Sequence, residues 1–113
     1  MRPQNLSPRA LRDIERAADD IAASAAGPAF ADRFAVAVAD AAERAARRPL
    51  LGHRRLDLLP GRFRFRAVKG FPYLLVYNAE HPDRLILRVV HMARDLGALL
   101  ADLAELPGED LPD

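Results

Sequence analysis

Cysteine and tryptophan are absent from this 113-residue chain, there are two tyrosines, and Lys69 is its one lysine. Without cysteine there is no disulfide and no thiolate metal site. The three histidines, His53, His81 and His91, have no ligand-like spacing, so neither a metal nor another cofactor is expected. No apolar run approaches the roughly 20 residues that span a bilayer, and the N-terminus lacks the basic, apolar and small-residue layout of a secretory signal. A cytoplasmic protein with no membrane partner is the expectation. Half the residues are hydrophobic and 29% are charged, which suits one globular core for a single domain over residues 1–113.

The net charge of +1 hides an uneven distribution. Residues 1–49 carry 8 basic and 7 acidic groups, residues 50–95 carry 9 and 4, and residues 96–113 carry none and 5. A basic middle is the electrostatic footprint of an anionic partner, nucleic acid or an acidic polypeptide. Sixteen of the 17 basic residues are arginine, whose planar fork suits bidentate contacts to phosphate or carboxylate. A coding bias toward Arg and Ala produces the same count.

Ser7-Pro8 supplies a capping hydroxyl and a proline at the first helical position. Leu11, Ile14, Ala18, Ile21, Ala22 and Ala25 then recur at helical spacing, and Gly27-Pro28 is expected to end that helix. Phe30, Phe34, Val38, Ala41 and Ala45 mark a second helix running to about Arg47-Arg48-Pro49, antiparallel to the first. Residues 50–60 lack a period and read as a connection with some extended character. Arg62-Phe63-Arg64-Phe65-Arg66 alternates strictly, which predicts a strand with both phenylalanines in the core and the arginines on an opposite, open face. Residues 71–77 and 84–91 read as two more strands, with turn residues at Glu80-His81-Pro82-Asp83. Asp95 is placed to cap a short final helix marked by Leu96, Leu99, Leu100 and Leu103. The expected fold is α+β, a helical hairpin on a three- or four-stranded antiparallel sheet with a short C-terminal helix. Its core runs from about residue 6 to 103 and is followed by an acidic tail, 104–113.

Several polar residues are candidates for chemistry. Arg62, Arg64 and Arg66 form a row suited to phosphate or to the carboxylates of an acidic segment. Arg88 interrupts a buried run, so it either pairs with an internal acid or reaches the sheet's open face. His91 at the end of that strand is the one acid–base candidate there. With Arg88 and Arg62 it would make a set for RNA cleavage by 2′-hydroxyl attack; the alternative is a structural histidine bonded to backbone or to Asp95. Tyr73 and Tyr77 read as core residues with exposed hydroxyls. The acidic residues 102–113 are expected to fold back over the arginine face.

The order and spacing of three segments resemble the RelE/ParE superfamily of bacterial toxins. Leu6-Ser7-Pro8-Arg9-Ala10-Leu11-Arg12-Asp13-Ile14 is similar to its S-P-x-A-x-x-D-L/I first helix. Gly61-Arg62-Phe63-Arg64-Phe65 leading to Tyr73-Leu74-Leu75-Val76-Tyr77 resembles its central strands. Arg88-Val89-Val90-His91-Met92-Ala93-Arg94-Asp95 resembles the R-V-L-H-x-x-R-D ending of the ParE-like branch. The resemblance implies a toxin of a type II toxin–antitoxin module, neutralised by a small antitoxin with an acidic C-terminal segment. It implies DNA gyrase as the target, the alternatives being a ribosome-dependent mRNA endoribonuclease or an inactive toxin-fold binding module. Arg62, Arg64, Arg66, Arg88 and Arg94 are then the antitoxin- or target-binding candidates.

Overall fold

Ser7 starts the fold by joining three parts of it. Its hydroxyl accepts the amide of Ala10 at 3.0 Å, capping helix α1 (Pro8–Ala23), and donates to the carbonyl of Leu87 at 3.1 Å. Pro8 takes the first turn, where no amide is needed. The computed structural model describes residues 5–81 and 85–105. In it α1 stops earlier than the sequence suggests, because Ser24 turns its own amide and hydroxyl onto the carbonyl of Ile21. Gly27 and Pro28 do not end α1 but begin α2 (Gly27–Arg47). Gly27, at φ 84°, makes the reversal, and proline fits the following first turn.

After a short 3-10 turn (Pro49–Leu51), strands β1 (Phe63–Ala67), β2 (Tyr73–Asn78) and β3 (Ile86–His91) form an antiparallel meander in the order β1-β2-β3. Helix α3 (Leu96–Leu100) follows, capped by Asp95, whose carboxylate accepts the amide of Ala98. Both sheet edges are partly covered. The carbonyl of Asn5 accepts the Ile86 amide at 2.7 Å and the Ser7 amide donates to the Ile86 carbonyl at 2.9 Å, which makes a parallel bridge among the described residues. On the far edge His53 exchanges two backbone hydrogen bonds with Phe65, which is the extended character expected of the connection.

Register decides what each face carries. Arg64 pairs with Tyr77 and Arg66 with Leu75, while Phe65 pairs with Val76. Directly opposed residues share a face. Leu75 and Tyr77 pack with Phe34, Val38 and Ala42 of the hairpin, so Arg64 and Arg66 lie on the helical side. Phe63, Phe65, Val76 and Val90 form a second core on the other side with Leu59, Leu100 and Leu103. Neither face is left open for arginine. The alternation of β1 was legible, but the hairpin covers the arginine side and the final helix covers the phenylalanine side.

Arg88 closes the edge at β3. Its Nε and Nη2 donate to the two carboxylate oxygens of Asp13 at 2.8 and 3.1 Å, and its Nη1 donates to the carbonyl of Leu99 at 3.3 Å. The same Asp13 carboxylate accepts the Val89 amide at 2.9 Å. One guanidinium therefore ties α1, β3 and α3 together, and a bidentate pair of this kind fixes geometry as well as charge. A second tie joins Arg9 to Asp102 at 2.6 Å. Burial would raise the Asp102 carboxyl, yet the hydrogen bond and charge of Arg9 hold it below the ordinary carboxylate range. Asp102 thus pairs with α1 and not with the β1 arginines; the rest of the expected tail contact, and Pro82 and Asp83 of the expected turn, lie outside the described residues.

Two stability predictions follow from these contacts. Arg88→Met leaves the Asp13 charge mostly buried and should cost about 3 kcal/mol in urea unfolding, whereas Asp13→Leu/Arg88→Met should cost clearly less than the sum of the single changes. Strict additivity would show that the two groups do not act as a pair. Gly52 is the second point, since an added Cβ would stand 2.2 Å from the Tyr77 hydroxyl oxygen. Gly52→Ala should cost about 1–3 kcal/mol, and less in a Tyr77→Phe background; an equal cost in both backgrounds would locate the clash elsewhere.

Candidate partner-binding site

The arginines of β1, read as one row, occupy three environments. Arg64 donates from Nη1 to the carbonyls of Leu50 and Gly52, both at 3.0 Å. Beside it the Tyr77 hydroxyl donates to the Pro49 carbonyl. Tyr77 is fully buried, in contrast to the exposed hydroxyl expected, and burial pushes its phenol up against the opposing pull of the Arg66 and Arg64 charges. It is held as a hydrogen-bond donor. The Arg62 guanidinium stacks over the Phe63 ring at 4.6 Å. Arg66 lines a pocket of about 310 Å³ with Arg33, Arg44, Lys69, Asp40 and Phe71, and its Nε is buried without an acceptor among the described residues.

His91 accepts the Ala93 amide at Nδ1, 3.0 Å away, and meets the Tyr73 ring edge-on at 4.9 Å between centroids. This is the backbone-bonded alternative. His91 pairs with Tyr73 at one end of β2, whereas the Arg62 carbonyl bonds the Ala79 amide just past the other end. Those ends are about 17 Å apart at the rise of a strand. The structure therefore does not bring His91, Arg62 and Arg88 together, and Arg88 is committed to Asp13. Arg94 is exposed in the turn after β3, with its amide on the His91 carbonyl.

A second, larger concavity involves none of these residues. A groove of about 880 Å³ runs between α1 and α2, with Leu11, Ile14 and Ala18 on one wall and Ala35, Val36 and Ala39 on the other. Glu15, Asp40 and Glu43 stand among the residues lining it. Val36 is 64% exposed. The groove adjoins the Arg66 pocket, since Val36 and Asp40 line both. The sequence carries a signal for it beyond the Phe30, Phe34 and Val38 stripe of α2. Ala35, Val36, Ala39 and Ala46 make a second apolar face on α2, and a helix apolar on two sides has a second surface to cover.

Among the described residues no group of three or more His, Asp or Glu side chains is placed to hold a metal ion, and no helix is long and apolar enough to cross a membrane. A search of curated proteins found no match. The model of the family described as the ParE toxin of the type II toxin–antitoxin system parDE matches residues 5–96, from the Asn5 edge bridge through the three strands to the start of α3. With most of its length matched, the chain belongs to the ParE toxin family of type II toxin–antitoxin systems.

Proposed function

We propose that this chain is a toxin that inhibits DNA gyrase by binding it, and that its antitoxin neutralises it by laying a C-terminal segment along the α1–α2 groove and into the Arg66 pocket. The observation that carries the antitoxin part is the continuity of these two surfaces through Val36 and Asp40. Leu11, Ile14 and Val36 offer an amphipathic helix a place for its apolar face. The basic pocket beyond it, with Arg33, Arg44, Arg66 and Lys69, receives the segment's carboxylates. Arg88, spent on Asp13, holds the hairpin and contributes to partner binding through that placement alone. The gyrase part rests on family membership together with the separation of His91 from Arg62, which supports inhibition by binding over RNA cleavage.

Val36→Asp puts a charge in the groove without touching the core, so it should weaken antitoxin binding about tenfold or more in calorimetric titration while leaving thermal stability near wild type. Arg66→Ala should weaken the same binding and flatten its dependence on salt; unchanged affinity for both variants would remove the groove from the account. Induction of the chain without antitoxin should stop DNA synthesis before protein synthesis. Early loss of translation with cleaved messages would point instead to an endoribonuclease. His91→Ala should leave growth arrest intact, and loss of arrest in a folded, antitoxin-binding variant would restore a direct role for this residue.

A further inference from the structure

We propose that the loop between α2 and β1, from Arg48 to Leu56, is the surface with which the toxin grips its protein target, and that it fits an apolar pocket bordered by carboxylates. This rests on the reading of the chain as a toxin that acts by binding a protein. Leu50, Leu51 and Leu56 are 68%, 62% and 67% exposed, more than any other large hydrophobic residue described except Val36 of the groove. Leucines on a slack loop would carry little information. This loop is pinned from beneath: Arg64 holds the carbonyls of Leu50 and Gly52, Tyr77 holds that of Pro49, and His53 exchanges two backbone bonds with Phe65.

Tyr77 pins the loop with its hydroxyl while its ring stays in the core, and Gly52 is buried so closely against Tyr77 that no side chain fits there. Leu50 and Leu51 are therefore presented outward on a fixed backbone, and a partner gains their burial without ordering the loop. The charges identify the kind of partner. Arg48 and Arg54 are exposed and form no ion pair among the described residues, while Asp57, the acid just past the loop, is occupied by Arg55 at 2.9 Å. Exposed leucines between unpaired arginines match an apolar centre with an acidic rim, the anatomy of a protein interface; phosphate backbones would use the arginines and leave the leucines in water. No residue of this loop lines the groove or the Arg66 pocket, so the target surface and the antitoxin surface are separate.

The test uses the full chain in two variants, Leu50→Ser/Leu51→Ser and Arg54→Glu, with growth arrest, antitoxin affinity and melting temperature as readouts. Both variants should lose growth arrest, requiring about tenfold more expression or failing to arrest at all, while binding antitoxin within about twofold of wild type and melting as it does. Arrest at wild-type potency in both variants would overturn the proposal. A parallel loss of antitoxin binding would also overturn it, by placing the antitoxin on the loop. Loss of arrest in Arg54→Glu alone, with salt-steep binding of duplex DNA by the wild type, would overturn it in favour of a nucleic-acid surface. A wild-type chain that does not arrest growth would refute the toxin reading itself, and that failure is distinguishable because it appears before any loop residue is changed.

Discussion

The contact on which the rest of the structure depends is the bidentate pair between Arg88 and Asp13. Among the described residues the sheet has three strands with β3 on the outer side, so the helical hairpin needs something more than apolar contact to fix its position there. Asp13 supplies it by taking two guanidinium nitrogens and the Val89 amide on one carboxylate. The third nitrogen reaches α3 through the Leu99 carbonyl. A charge this far from water is tolerable because its hydrogen bonds are met by groups from three elements. Once α1 is fixed, α2 follows, and the groove between them has a defined width.

Local signals were legible wherever a residue's role is set by its immediate neighbours. Ser7 and Pro8 begin α1 as expected, Asp95 caps α3, and the alternation around Phe63 and Phe65 marks a real strand. Relations across the chain were not. Which side of β1 the helices cover depends on its register with β2 and on where the hairpin lands, and neither is encoded in the five residues themselves. Gly27-Pro28 suggests an ending because glycine and proline commonly follow helices, yet the same pair opens one when the preceding helix is stopped by a serine. Pairing with an acid is one of the two alternatives that the sequence leaves open for Arg88, and its partner lies 75 residues away, among several acids on α1.

The candidate site shifted most between sequence and structure. A row of arginines at period two suggests one shared function, but the fold divides the row. Arg64 secures a loop, Arg66 enters a basic pocket and Arg62 stacks on its neighbour. The groove was hidden in alanines, which give a helix face its shape by being small. Alanine at positions 18, 35 and 39 lets two helices leave a channel that larger residues would fill. The proposed binding surfaces are thus an apolar groove on the hairpin and an exposed, leucine- and arginine-bearing loop that Arg64 and Tyr77 hold.

The two proposed surfaces have different partners. Methyl NMR spectra of the full chain during titration with the antitoxin test this most directly. The methyl signals of Leu11, Ile14 and Val36 should shift, with those of Leu50, Leu51 and Leu56 left in place. Shifts confined to the three loop leucines, with the groove methyls unmoved, would contradict it.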